Sequence, residues 1–241
     1  MNIYETPTIG SRIKGNPYVG RGIVVGRTAD GSRAAVAYFI MGRSRNSRNR
    51  VFVERDEVLY TEPYDMSLVE DPSLIIYAAL RRTGKYLVVT NGDQTDTIYD
   101  GLRTGGSFEA ACSTREFEPD APNFTPRISA CLKFCCCENF SYKMSILKSA
   151  DAEGSACARF FYNYPSLPGV GHFIHTYVTD GNPIPTFQGE PERIAIPNDI
   201  DELTRDIWDN LDEDNRISLH VRMIDLKTGE EEKRLINKYG K

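Results

Sequence analysis

The sequence predicts an α+β fold with largely antiparallel sheets, and two observations carry that prediction. Strand-like segments come in pairs joined by short turns, and the helical segments stand between groups of strands instead of alternating with single strands. A doubly wound parallel sheet would show the opposite pattern. Two sheets packed face to face with helices outside would use this inventory.

Tyr18 to Gly26 and Arg33 to Met41 are rich in Val, Ala, Ile and aromatics, and Ala29-Asp30-Gly31-Ser32 separates them as a turn, so the pair reads as a β-hairpin. Leu74 to Leu80 and Lys85 to Thr90 repeat the pattern around Thr83-Gly84. From about Asp93 to Arg103 a polar start and the four-residue spacing of Ile98 and Leu102 predict a helix, and Ser107 caps a second, shorter one. Arg127 to Cys137, Tyr142 to Ala150 and Ala156 to Tyr164 read as strands. The Gly- and Pro-dense stretch Pro165 to Pro191 reads as one long ordered loop, the kind of segment that walls a site. Asp199 and Glu202 fit a capping box before Ile200, Leu203, Ile207 and Leu211, which recur at helical spacing. Ile217 to Leu226 and Glu231 to Ile236 close the chain as a hairpin through Lys227-Thr228-Gly229.

With 40% hydrophobic and 26% charged residues, the 241-residue chain is able to bury a sizeable core, and residues 1–241 are expected to form a single domain. The net charge of -5 argues against a general nucleic-acid binder, which would carry a basic surface. Met1 to Ser11 is polar and contains Pro7 and Gly10 where a secretory signal needs an apolar core, and no long apolar run follows, so a cytoplasmic protein without a membrane partner is expected. The six cysteines are then expected to be free thiols, with Cys135, Cys136 and Cys137 alternating between the faces of a strand as small buried hydrophobes.

Three clusters could carry chemistry. In Arg43-Ser44-Arg45-Asn46-Ser47-Arg48-Asn49-Arg50, arginines alternate with small polar residues after a strand; guanidinium forks and hydroxyls suit phosphate, while the plainer reading is a solvated turn. In Thr90-Asn91-Gly92-Asp93-Gln94-Thr95-Asp96-Thr97 a strand gives way to a helix. There Gly92 lets a ligand approach the backbone and Asn91 offers both donor and acceptor, against a plain turn with an N-cap at Asp93. The third, Glu116 to Arg127, sets acids, an amide and an arginine among prolines; carboxylates beside apolar rings suit proton transfer, and a rigid solvated loop is the alternative. His172 and His175 are three apart without a third ligand at a recognisable spacing, so no metal is expected. Neither a phosphate-binding Gly-rich loop nor a dinucleotide fingerprint supports ATP or NAD.

Taken in order, Tyr18-Val19-Gly20-Arg21-Gly22-Ile23-Val24-Val25-Gly26, Arg43-Ser44 to Asn49-Arg50, Thr90-Asn91-Gly92 through Asp96, and Thr125-Pro126-Arg127-Ile128 resemble the archaeal-type inosine monophosphate (IMP) cyclohydrolase family. The likeness covers about residues 18 to 130, and the C-terminal half looks like a longer, bacterial branch. The resemblance implies a four-layer αββα sandwich like that of the N-terminal-nucleophile hydrolases. Because the chain begins Met1-Asn2, it implies shared architecture and not shared amide hydrolysis. It further implies dehydrative closure of 5-formamidoimidazole-4-carboxamide ribonucleotide to IMP in purine biosynthesis, with neither metal nor organic cofactor.

By the same resemblance Arg50, Tyr77 and Glu118 are the catalytic candidates. Arg50 would sit at developing negative charge or the phosphate, Tyr77 would donate to the formyl oxygen, and Glu118 would shuttle protons. From its pattern alone, Tyr77 is an ordinary strand aromatic. Arg21, Arg43, Ser44, Asn49, Asn91, Gly92, Asp96 and Arg127 are the substrate-binding candidates, with Asn91 orienting the carboxamide and Asp96 and Arg127 supporting the site. Extra residues between Ser44 and Asn49 leave Arg45, Arg48 and Arg50 in competition for the functional arginine. The expected partner is a small nucleotide, and assembly into a homo-oligomer is compatible with the sequence. The rival readings are a noncatalytic purine-nucleotide-binding module, an RNA-binding protein and an amide hydrolase that matures by self-cleavage.

Overall fold

A computed structural model describes residues 4–69 and 75–240. Leu74, at the head of the second predicted hairpin, lies outside the described residues, as do residues 1–3 of the N-terminal stretch. The elements run α1 (Ile9–Ile13), β1 (Arg21–Arg27), β2 (Arg33–Met41), α2 (Arg45–Arg48), β3 (Val51–Arg55), β4 (Val58–Glu62), β5 (Tyr77–Thr83), β6 (Tyr86–Thr90), α3 (Gln94–Arg103) and α4 (Phe108–Ser113). They continue with β7 (Arg127–Cys135), β8 (Asn139–Ser149), β9 (Cys157–Pro165), β10 (Val170–His175), β11 (Glu192–Ala195), α5 (Ile200–Trp208), β12 (Arg216–Asp225) and β13 (Glu231–Asn237).

The strands form a six-stranded sheet, β11-β10-β1-β2-β12-β13, and a seven-stranded sheet, β3-β4-β5-β6-β7-β8-β9, each paired antiparallel. Alternation along the strands sorts the apolar side chains into layers. Ile23, Val25, Val36 and Tyr38 face Leu80, Val89, Ile128 and Leu132 between the sheets. On the outer face of the six-stranded sheet, Val24, Ala37 and Phe39 pack under Ile9 and Ile13 of α1 and Ile200, Leu203 and Ile207 of α5. Val88 and Cys131 of the other sheet pack under Ile98, Leu102 and Phe108 of α3 and α4. The result is the αββα layering that the sequence led us to expect. Asp199 starts α5 by accepting from the amides of Asp201 and Glu202, and Ser107 starts α4 by accepting from Ala110.

Pro165 to Pro191 is not one loop: β10 lies within it and pairs with β1 on one side and β11 on the other. Gly171 stands opposite Gly26, where a Cβ on Gly26 would lie 2.5 Å from Gly171 Cα and 2.6 Å from Ile196, so this pair of strands needs glycine to let Ile196 settle over them. The hairpin of β3 and β4 turns through Asp56 and Glu57, both at positive φ (50° and 64°), a primed turn made without glycine or asparagine. The expectation for Cys135–Cys137 is also corrected. All three are exposed, because β7 ends at Cys135 and the chain turns through them into β8. All six cysteines are free thiols. Among the described residues no helix is long and apolar enough to cross a membrane.

Candidate active site

Antiparallel pairing brings many strand ends to one rim. There β1, β3, β5, β7 and β12 begin and β2, β4, β6 and β10 end, as the pairs Arg21↔Ile40, Gly22↔His175, Val51↔Glu62, Thr61↔Tyr77 and Thr90↔Ser129 require. The Arg43–Arg50 segment crosses from one sheet to the other at this rim, so three stretches far apart in sequence meet there.

Arg21 is in phase with Ile23 and Val25, which aims it between the sheets. It is buried, and its Nη2 donates to Glu118 Oε1 at 3.0 Å. Glu118 is equally buried, held by its own amide donating to the carbonyl of Thr125 at 2.9 Å. Burial works against charge on Arg21, yet Glu118 beside it, with Tyr177, Tyr77 and Tyr38, holds the guanidinium well above its usual range. Glu118 therefore faces a guanidinium.

Tyr77 shares a 2.9 Å hydroxyl hydrogen bond with Tyr38 inside the sandwich. Burial pushes the Tyr38 hydroxyl well up, Tyr77 adds to the rise, and the charges of Arg21 and Arg50 oppose it. Burial also raises Tyr18, against the charges of Arg21, Arg50 and Arg43. Three arginines from two segments thus act on one phenol. Tyr177, stacked on Tyr18, is bonded at 2.6 Å to Thr125 Oγ1, whose hydroxyl reaches the Asp120 carboxylate.

The three competing arginines differ in position. Arg48 is committed to the carbonyl of Gly42 and to Asn215, Arg45 lines a surface groove with Tyr64 and Tyr239, and Arg50 is buried. Arg43 reaches Asp180 and the carbonyl of Gly181, tying the crossover to the loop after β10. At Gly92 a Cβ would lie 2.6 Å from Arg127 Nη1 and 3.6 Å from Glu118 Oε1, so Gly92, Arg127 and Glu118 are neighbours and the glycine is what lets them be so.

Other candidates stand outside the cluster or already have occupied side chains. Ser44 caps α2 by accepting from Ser47, and Asn49 braces a loop through both backbone groups of Asp65. Asp96 lies on the outward face of α3, where the buried Gln94, Thr95 and Ile98 face the sheet, and it pairs with Arg81. Asn91 Oδ1 accepts from Ile128 and Gln94 while Nδ2 donates to Pro126, so it fixes the β6–β7 rim. Asp93 occupies the N-cap of α3 but makes no capping bond; its carboxylate turns to Arg127 and Arg115. Burial would raise that carboxyl, but the two guanidiniums hold it below the usual range. Sequence reasoning did not single out Tyr38, Tyr177 or Asp120. The signal for Tyr38 was its phase with Val36 and Ile40, which aims it inward. His172 and His175 serve the core: His172 stacks on Tyr164 and bonds Tyr142, and His175 bonds the carbonyl of Tyr177. Among the described residues no group of three or more His, Cys, Asp or Glu could hold a metal ion.

Fold and site define a class: an αββα protein whose sandwich ends, at one rim, in a buried guanidinium–carboxylate pair ringed by phenols and further arginines, a setting for a small anion. The family model described as IMP cyclohydrolase-like protein matches residues 18–230, and the chain belongs to that family. Similar proteins include the IMP cyclohydrolase of Methanopyrus kandleri, 35% identical over 116 residues that make up 46% of this chain and 57% of that protein. That of Methanococcus maripaludis (strain S2) is 35% identical over 117 residues, 46% of this chain and 56% of that protein. That of Methanococcus aeolicus is 27% identical over 164 residues, 66% and 74% of the two chains. The chain spans a little over half the length of the first two relatives.

Proposed function

We propose that the protein is an IMP cyclohydrolase that closes 5-formamidoimidazole-4-carboxamide ribonucleotide to IMP with loss of water, acting as a single catalytic unit in the cytoplasm. The observation that carries this reading is the convergence of Arg21, Arg43 and Arg50 on Tyr18 beside the Arg21–Glu118 pair, in a chain of this family.

The reaction asks for few parts. The carboxamide nitrogen bonds the formyl carbon and gives up one proton while the formyl oxygen gains one. That oxygen then leaves as water as the formamido nitrogen loses its proton and the ring gains its C=N bond. The nucleophile is weak, so holding the two groups of one molecule at attack distance supplies much of the rate. Arg43 and Arg50 anchor the phosphate or oppose charge on the formyl oxygen, and Arg43 exchanges Asp180 for the substrate anion. Tyr77, sharing its hydroxyl with Tyr38, donates to that oxygen. Glu118, oriented by Arg21, accepts the carboxamide nitrogen's proton and returns it to the departing water, and the formamido nitrogen's proton restores the Tyr77 hydroxyl. Gly92 and Arg127 shape the wall beside Glu118, and Asn91 holds that wall in place.

The test is incubation of purified, EDTA-treated protein with the formamido ribonucleotide, following IMP by absorbance and mass. Enzyme-dependent loss of one water, undiminished by the chelator, is the expected result. No acceleration over buffer, with IMP still bound, would overturn the reading in favour of a noncatalytic purine-nucleotide module.

A further inference from the structure

At the rim opposite the arginine cluster, β7 ends at Cys135 and β8 begins at Asn139, the residue paired with it across the turn. Cys136, Cys137 and Glu138 form the tip, and Glu138 takes the left-handed conformation (φ 51°) that lets so short a loop close. The geometry brings two thiols together. Cys135 Sγ and Cys137 Sγ lie 2.9 Å apart, both are exposed, and Cys135 Sγ also approaches the carbonyl of Asn139 at 3.0 Å. A disulfide needs sulfurs about 2.05 Å apart, so bond formation asks for a movement of roughly 0.9 Å at exposed side chains.

The tip is held in that form by its surroundings. Arg27 of β1 donates to Asn139 Oδ1 at 3.0 Å and to the carbonyl of Glu138 at 3.3 Å, and Ser166 donates to the same Asn139 oxygen at 2.6 Å. The sulfurs therefore meet on a braced turn and not on a free loop. The hydrogen bond shared by the two thiols lowers Cys135 below its usual range and raises Cys137, the division of labour between an attacking and a resolving thiol.

We propose that Cys135 and Cys137 form a reversible dithiol–disulfide couple that exchanges with small-molecule disulfides of the glutathione type. The Cys135 thiolate attacks one sulfur of the small disulfide, forming a mixed disulfide and releasing one thiolate. Cys137, giving up its proton, then attacks the Cys135 sulfur and expels the second thiolate. The protein loses two electrons and two protons, and one small disulfide becomes two thiols. Cys136, between them, takes no part.

The experiment treats the reduced full chain with oxidised glutathione and reads intact mass, followed by fragment mapping. The expected product is linked Cys135–Cys137, two hydrogens lighter at that pair and carrying no adduct on either of those sulfurs, and it is restored by a dithiol reductant. Cys136→Ser should behave the same way, whereas Cys137→Ser and Cys135→Ser should stop at glutathione adducts on the remaining thiols. Wild-type protein that keeps a glutathione adduct on Cys135 as Cys137→Ser does, or a bond that maps to Cys136, would overturn the proposal. Because the thiols stand on the rim opposite the arginines, neither result depends on the cyclohydrolase reading.

Discussion

Replacing Glu118 by Gln separates what the buried pair does for the fold from what it does for turnover. The side chains of Arg21 and Glu118 are only 7% and 10% exposed, so water cannot stand in for a missing partner. Removing one member of such a pair costs about 3–5 kcal/mol, because the remaining charge is left buried and uncompensated. Glutamine keeps an acceptor oxygen toward Arg21, which lowers the expected loss to roughly 2–3 kcal/mol. Urea unfolding of both proteins measures it, and adding Arg21→Met to Glu118→Gln should recover part of the loss, since the stranded charge is then gone. In turnover, loss of the proton acceptor should lower kcat by about 10²–10⁴-fold while KM changes little. A Glu118→Gln protein with the wild-type urea midpoint would refute the energetic argument, and one with wild-type kcat would remove Glu118 from proton transfer.

Tyr77→Phe should leave the Tyr38 hydroxyl buried without its 2.9 Å partner, a loss of about 1–3 kcal/mol readable as a lower urea midpoint. Gly92→Ala drives a methyl to 2.6 Å from both Arg127 Nη1 and Gln94 Oε1; displacing them should cost about 1–3 kcal/mol and lower kcat/KM, and an alanine variant with unchanged kinetics would show that the wall beside Glu118 tolerates movement. Burial, with the charges of Arg222 and Lys233 beside it, pushes His220 down to about 3. Its neutral form is stable above the unfolded value near 6.5, and as pH falls toward 3 the unfolded chain takes a proton that the native one refuses, removing up to about 1.4 kcal/mol of stability per pH unit. Urea midpoints measured from pH 7 to pH 4 should fall less steeply in His220→Gln than in the wild type.

How legible each element was in the sequence follows from local chemistry. The β1–β2 hairpin could be read because Asp30-Gly31 marks its turn, and α5 because Ile200, Leu203 and Ile207 keep helical spacing. β10 escaped because Gly171, which its packing under Ile196 demands, and the prolines around it carry the composition of a loop. The β3–β4 hairpin escaped because Asp56 and Glu57 make a primed turn without glycine or asparagine. Arg43 and Arg50 were singled out by their alternation with small polar residues and Glu118 by family likeness, while the meeting of Tyr18, Tyr38 and Tyr177 depends on how two sheets face each other, which no local pattern encodes. Asp96 was misplaced because helical phase, and not proximity to Asn91, decides where its side chain goes. The three cysteines were misread because strand alternation was extended past Cys135 into what is a turn.

The cationic rim belongs to a protein whose net charge is -5, and that contrast sorts anions by size. A long polyanion must lie along much of the acidic body to reach the arginines, collecting repulsion along its length. A small anion need only come within about 8 Å of Arg21, Arg43 and Arg50, the distance over which salt leaves their attraction effective. Under the proposed function, this balance favours a small anion at the rim over a long polymer. Capture of such an anion should accordingly slow as ionic strength rises.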